Sequence, residues 1–464
     1  MKHLLIAFIV FVLFSCKKSS DTVPQIDPYF SLTTGCPRFM ASDSLQYLDS
    51  NIQFINYTDS GSNISYQWDF GDKNFSTQRN PVHSYSKPGI YKVKLFSLYK
   101  NKISDSMVQG LRIIIGQTTF KSSYNNSHPV DLEEAPGGGV IFISYAYTPV
   151  TYEMAYSITC ADSLLKRRWT KDLGISVRLS SIKKINTSEY ILSGNYNAGP
   201  TSQFCLSKIN TNGDLVWQKY SGAIAGTNNY TIVTGDGSLV TIGTTPPGIN
   251  QYAIIIKYDA NGNEIWRKNF DGASTSVALR DPDNIIETVD GYVFASLNSS
   301  RQIVLTKLDF NGNIVKQSVT ASGTNSTIFE TGVVTSGNNF MIYATNTASI
   351  YMFNSSFSFI DSRVVAQSGI NHGLAVDNHF YIAEGSHQYA YVRQLSAEGA
   401  PQWSSIIDNV MPITCAMQEF GVTRYCNKIM FNTRGELVAA IEGEATGGGG
   451  ASFIAKYGTD GKLK

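Results

Sequence analysis

Charge is scarce in this chain and balanced where it occurs. Only 16% of the 464 residues are Asp, Glu, Lys or Arg, and 37 basic side chains meet 36 acidic ones for a formal net charge of +1. A balance this even supplies neither the basic footprint of a nucleic-acid binder nor a polybasic face for anionic lipid, so nucleic acid is excluded as a partner. Long apolar runs are also missing. The one candidate, Leu4 to Phe14, has eleven residues, whereas a spanning helix needs about 20. Cysteine is sparse, with six residues in all, and once Cys16 is set aside below, the odd five that remain do not make a disulfide framework. No Gly-rich phosphate loop precedes a Lys-Ser/Thr pair, because Gly447 to Gly450 has no strand-to-helix context and reads as a hairpin loop.

What is abundant points to strands and turns. Tyr (26), Phe (24) and Gly (39) are frequent, together with Ser, Thr and Asn, the mixture of half-buried strands joined by many tight turns. An all-β fold follows. The length exceeds the usual single domain, so two domains or a repeat array are expected.

The first sixteen residues form a targeting segment. Lys2 and His3 precede the apolar run, which fits the h-region of a signal peptide. Leu13-Phe14-Ser15-Cys16 then resembles a lipobox, although Phe14 departs from its usual small or branched residue. The resemblance implies diacylation of Cys16, a mature chain beginning there, and lipid anchoring without a transmembrane helix. The residues after Cys16 carry Lys17 and Lys18 with only Asp21 acidic nearby. These do not resemble an acidic surface-export tag; the outer membrane is expected over the inner, and periplasmic or surface display stays open. Five cysteines remain. Cys415 and Cys426 form the candidate disulfide, with two buried thiols as the equal alternative.

Residues 17–27 (KKSSDTVPQID) read as a tether, and folded structure is expected from Pro28. Within residues 28–116, Trp68-Asp69-Phe70-Gly71-Asp72 is followed by Asn80-Pro81, His83, Tyr85, Gly89, Tyr91, Val93 and Leu95. This order resembles the PKD domain, which implies an immunoglobulin-like β-sandwich. The residues agree: Trp68 and Phe70 alternate inward, Gly71-Asp72 turns the chain, and Tyr91, Val93 and Leu95 share one face at period two. Asp69 and Asp72 read as turn residues rather than calcium ligands.

Residues 117–464 carry an internal repeat. The segments Lys208 to Trp217, Lys257 to Trp266 and Lys307 to Lys316 each hold a strand, an Asn-Gly turn and a second strand. Weaker copies put turns at positions 165, 213, 262, 312, 357, 399 and 461, spaced by 48, 49, 50, 45, 42 and 62. With a further strand upstream of each hairpin (140–147, 191–196, 239–245, 292–298, 340–346, 380–386, 437–443) and a less regular one before that, each unit has four antiparallel strands. About seven such blades make a β-propeller. Thr118 to Tyr124 resembles the outer strand missing from the last unit, and is expected to pair there and close the ring. The repeats resemble the tryptophan-bearing blades of quinoprotein-like propellers and the K-x-D-x-x-G-x-x-x-W arrays of exported bacterial proteins.

No constellation carries catalysis, a metal or a cofactor. The quinoprotein likeness invites pyrroloquinoline quinone and calcium, but no adjacent Cys-Cys pair is present, and seven blades replace eight. The sialidase Asp-box (S-x-D-x-G-x-x-W) is absent because Asp259 precedes Gly262 by three positions rather than two. His83 belongs to the PKD pattern, and His372, His379 and His387 lack metal-ligand spacing. Trp169, Trp217, Trp266 and Trp403 sit at one repeat position, which argues for blade-to-blade packing rather than a stacking platform for sugars. The longest interval, with residues 408–428, is the candidate functional face. The expected role is a non-enzymatic envelope lipoprotein, in which the PKD domain spaces a propeller that binds protein or glycan. An outer-membrane assembly scaffold and a polysaccharide-acting enzyme are the alternatives.

Overall fold

The computed structural model describes residues 30–33, 43–47, 51–58, 63–87, 89–114, 116–118, 127–148, 151, 153–174, 177–196, 203–222, 227–244, 253–270, 284–298, 302–320, 331–344, 348–366, 369–385, 390–406, 423–444 and 450–457. The signal segment, Cys16, the tether and Cys415 lie outside them, as do residues 408–422 of the candidate face. None of the helices sought among the described residues is long and apolar enough to cross a membrane. Contacts divide the chain between Ile113 and Ile114.

The first unit is a sandwich of two antiparallel sheets. One holds Phe30–Thr33, Ile52–Asn56 and Val82–His83, and the other holds five strands in the order Asp43–Tyr47, Lys102–Ile114, Gly89–Tyr99, Ile64–Asp69 and Phe75–Ser76. Alternation along Ile52–Asn56 and Gly89–Tyr99 turns Ile52, Phe54, Val93 and Leu95 inward onto Trp68, Phe70 and Tyr85. Burying each such side chain contributes about 1.5–3 kcal/mol. Their polar tips are satisfied, since Trp68 Nε1 donates to Gln78 O (3.1 Å) and Tyr85 OH to Phe70 O (2.9 Å). Gly71 turns the chain at φ 80°, and a Cβ there would lie 2.9 Å from the Lys92 carbonyl.

The second unit is a propeller of seven four-stranded sheets, spanning residues 127–174, 177–220, 227–270, 285–319, 331–364, 369–406 and 423–457. The seventh holds only three of its strands, Thr423–Phe431, Leu437–Glu444 and Gly450–Tyr457. Its fourth is Gly116–Thr118, antiparallel to Phe453 through Ala455. The ring therefore closes as expected, but with residues 116–118. Residue 116 belongs to the propeller because its pairing partner does, and 119–126 lie outside the described residues. First strands of successive blades pack together, including those of blades 7 and 1, and line the hub.

Five of these first strands contain a β-bulge, at Pro129/Asp131, Leu179/Ser181, Thr227/Asn229, Ile370/His372 and Cys426/Lys428. One extra residue inverts the alternation partway along a strand, which is why these segments read as irregular.

At the rim, the repeated hairpins join neighbouring blades. Asp259 Oδ1 accepts from the amides of Asn261 and Asn263 (both 2.8 Å), and Gly262 takes φ 76°. Asn210 and Asp309 build the same turn, with Gly213 and Gly312 at φ 77°. Onto each glycine lies a tryptophan of the preceding blade: Trp169 on Gly213, Trp217 on Gly262 and Trp266 on Gly312, each within 3.0 Å of where a Cβ would sit. Trp169 Nε1 donates to Thr211 O (3.1 Å) and Trp266 Nε1 to Phe310 O (3.0 Å). These three tryptophans are blade-to-blade packing, as their repetition implied. Trp403 occupies the corresponding strand, paired with Gln394, and its side chain lies outside the described residues.

Candidate functional site

Blade 1 carries a different group at each end of its strands, one at the hub and one at the edge. Toward the hub, the bulge in Ser127–Ala135 turns Asp131 inward, where it is fully buried. Its Oδ2 accepts from the Ile182 amide of blade 2 (2.9 Å) and lies 3.8 Å from Lys183 Nζ. Its Oδ1 is 3.4 Å from Lys428 Nζ of blade 7, itself almost wholly buried. One carboxylate thus ties three blades. The same bulge position recurs with other chemistry, since Ser181 Oγ accepts from Thr231 N of blade 3 (3.4 Å) and His372 Nδ1 from Ile429 N of blade 7 (3.3 Å). The His372 bond requires that its proton sit on Nε2.

Just beyond Asp131, Glu134 Oε1 accepts from the Thr433 amide (3.0 Å) and hydroxyl (2.6 Å) of blade 7, and its Oε2 is 3.6 Å from Lys184 Nζ of blade 2. Lys456 of blade 7 is fully buried, with Nζ donating to Gly138 O (2.9 Å), Ser163 O (2.8 Å) and, at 3.5 Å, Glu436. Burial holds its ammonium below the ordinary lysine range, against the partial compensation of Glu436. The neighbouring cavity, about 330 Å³, opens between the inner turns of blades 7, 1 and 2.

At the other end of the same strands, antiparallel pairing sets His128 beside Tyr145 and Tyr145 beside Tyr156. The His128 and Tyr145 rings stack at 4.8 Å, Tyr147 meets both edge-on at 5.9 and 5.7 Å, and Tyr145 and Tyr156 lie 5.6 Å apart. Tyr147 is 45% exposed. Arg178, exposed on the first strand of blade 2, is near enough to act on the Tyr156 phenol, which burial pushes up and Arg178 partly offsets. The one carboxylate in the adjoining turn, Glu153, is held by the Thr151 hydroxyl (3.0 Å). The group can stack a ring and pair an anion, and it places no two carboxylates around a common point.

The sequence-derived candidates do not converge. Asp69 Oδ1 accepts from Gly71 N (2.9 Å), while Asp72 accepts from Asn74 and pairs with His83 Nε2 (2.8 Å), so both work within their turns. Among the described residues, no three metal-ligating side chains gather. His379 bonds the Asp377 carbonyl, and His387 lies outside the described residues. Cys426 is a buried free thiol against Lys428 O (3.9 Å), and its candidate partner Cys415 is not described. The glycine run joins Leu437–Glu444 to Gly450–Tyr457, with 445–449 undescribed. The sequence reading missed Asp131, Lys183 and Lys428. The available signal was charge at positions flanked by strand-forming apolar residues, where burial needs a partner.

Fold and site define a two-domain protein, a PKD sandwich and a seven-bladed propeller. Residues 48–109 match the PKD domain. Over 35 residues the chain is 57% identical to collagenase ColQ1 of Bacillus cereus, spanning 8% of this chain and 4% of that protein's length. A quinonprotein alcohol dehydrogenase-like protein of Bacteroides thetaiotaomicron is 12% identical, with 80% of this chain and 95% of that one covered at TM-score 0.43. Sqt1 of Saccharomyces cerevisiae is 9% identical, with 79% and 92% covered at TM-score 0.43. The Dos1 propeller is 10% identical, with 73% and 93% covered at TM-score 0.44. Likenesses this distant carry no activity over to this chain.

Proposed function

We propose that this chain is a non-enzymatic binding lipoprotein, held to the outer membrane through acylated Cys16, whose propeller engages a protein or glycan partner at the aromatic end of blade 1. The observation that supports this reading most is the row of His128, Tyr145, Tyr147 and Tyr156 with Tyr147 half-exposed and Arg178 alongside. Aromatic faces offer rigid contact area at low entropic cost, and Arg adds directional donors. Among the described residues, no pair of carboxylates flanks this patch, an arrangement that favours binding over hydrolysis. A second reading, an assembly scaffold that accepts partner strands, draws on the outermost strands of blades 2 and 4, where Leu215, Val216, Ile314 and Val315 are exposed.

The test is capture of envelope proteins and glycans by the full chain and by a Tyr147→Ala/Arg178→Gln variant. Loss of a partner at least tenfold in affinity supports the aromatic site. Equal capture moves binding elsewhere, and turnover of a captured polysaccharide overturns the non-enzymatic reading. Cys16→Ser abolishes incorporation of labelled fatty acid if anchoring is as proposed.

A further inference from the structure

The inner turn of blade 1 lacks a feature that four other blades share. In blades 2, 3, 4 and 7 a carboxylate at the inner turn pairs with a lysine of the third strand: Glu189 with Lys208 (2.8 Å), Asp236 with Lys257 (3.2 Å), Asp290 with Lys307 (2.5 Å) and Glu436 with Lys456 (3.5 Å). Blade 1, like blades 5 and 6, has no such pair among the described residues. The residue facing Trp169 across its strands is Cys160, where Lys208 faces Trp217 and Lys257 faces Trp266. Its inner turn is Pro136-Gly137-Gly138, with both glycines at φ 76°.

The cavity of about 330 Å³ opens at this turn, within the size range of ligand sites. A Cβ on Gly137 would touch nothing within 4 Å, so the space before the turn is open. Lys184 enters from blade 2 and Arg434 from blade 7. Arg434 lies across Gly138 and donates through Nη2 to Gly137 O (2.7 Å), and it forms no ion pair with any described residue. Glu134, the one carboxylate in the lining, has Oε1 filled by Thr433, and its Oε2 lies 3.6 Å from Lys184 Nζ. A guanidinium has five donors, and among the described residues that of Arg434 makes this one hydrogen bond.

We infer that this cavity binds an oxyanion, a carboxylate or phosphate group borne by a small ligand, which bridges Arg434 and Lys184, the Lys184 ammonium then being shared with Glu134. Bound there, it links blades 7 and 2 across the ring closure. Ligand and closure are then thermodynamically coupled, so occupancy raises the unfolding temperature of the propeller. The site stands at the opposite end of Gly139–Tyr147 from the aromatic patch, and is independent of it.

The test is calorimetric titration of the full chain at low salt with inorganic phosphate, D-glucuronate and, as matched controls, D-glucose and sodium chloride. Saturable binding of phosphate or glucuronate, with Kd on the order of 1 mM, is expected, accompanied by a rise in unfolding temperature. Binding of one but not the other identifies the ligand class. Arg434→Gln weakens it at least tenfold, the loss of a charge-assisted bidentate contact, and Lys184→Gln weakens it less. Gly137→Asn abolishes it, because Asn tolerates the left-handed backbone and fills the space. Lys268→Gln, at the rim, leaves it unchanged. Saturation by neither anion beyond chloride, or Arg434→Gln binding as tightly as the native chain, overturns the inference.

Discussion

The rim and the hub of this propeller both join one blade to the next, with different chemistry. At the rim, Trp169, Trp217 and Trp266 each rest on the glycine of the following hairpin, and Lys171 reaches Asp214 (3.1 Å) across the same junction. Each contact serves one pair of neighbours and is repeated with little change. At the hub, Asp131 holds blade 2 through the Ile182 amide and blade 7 through Lys428, and Glu134 beside it reaches the same two blades through Lys184 and Thr433. The rim spreads its stabilisation over equivalent, independent pieces. The hub concentrates it at the junction where the two ends of the array meet, in groups whose burial makes each dependent on the others.

The largest predicted effect tests the hub. Asp131→Ala removes a carboxylate 3.4 Å from the buried Lys428 ammonium and the acceptor of the Ile182 amide. A loss of about 3–5 kcal/mol in urea unfolding of the propeller is expected. Asp131→Asn keeps an acceptor for the amide and loses less. At the rim, Trp266→Ala removes a half-buried ring and one hydrogen bond, for a loss of about 2 kcal/mol. Paired with Asp131→Ala it should be additive, since the two act on separate junctions. A coupling above about 0.5 kcal/mol would mean that rim and hub are not independent. Smaller again is Gly312→Ala, where an L-residue must hold φ 77° with its Cβ 2.9 Å from the Trp266 ring. The expected loss is about 1–2 kcal/mol.

The smallest effects appear as pH dependence, in two windows. Hydrogen bonds from Lys208 to Glu189, from Thr234 and the Ser238 amide to Asp236, and from Lys307 to Asp290 hold these carboxyls below their ordinary range. The unfolded chain therefore binds more protons just below about pH 4. Stability present above that value is lost as pH falls through the native pKa values. Lys456 is held below the lysine range by burial. Between its lowered value and about pH 10.4 the unfolded chain again binds more protons. This group's contribution rises with pH across that window and is lost on acidification through it. Lys456→Met should flatten the alkaline slope of unfolding free energy and leave the acid limb unchanged.

The rim was legible in the sequence, and the hub was not, for a physical reason. An Asn-Gly turn needs a left-handed backbone, so glycine recurs at 213, 262 and 312 and marks each hairpin. The tryptophan beside it recurs because the junction recurs. Leu165 and Phe357 take the same backbone at φ 60° without glycine and are buried, so the weaker copies there were still correctly phased. In the PKD sandwich, period-two alternation was enough to identify Trp68, Phe70, Val93 and Leu95 as core. The first strands hid their register behind bulges, and Asp131, Lys183 and Lys428 become partners only through contacts between residues that are about 50 and 300 positions apart in a closed ring. The aromatic row was equally hidden, because His128, Tyr145 and Tyr156 lie on three strands and meet only by pairing.

The central claim is that residues 116–118 complete blade 7 and so close the ring over this hub, and hydrogen exchange tests it most directly. If the claim holds, amides of Gly450–Tyr457 exchange as slowly as those of Leu437–Glu444, and removal of residues 116–118 from the full chain releases them together with the first strands of blades 1 and 7. Rapid exchange of Gly450–Tyr457 in the intact chain, or an unchanged pattern after that deletion, would contradict it.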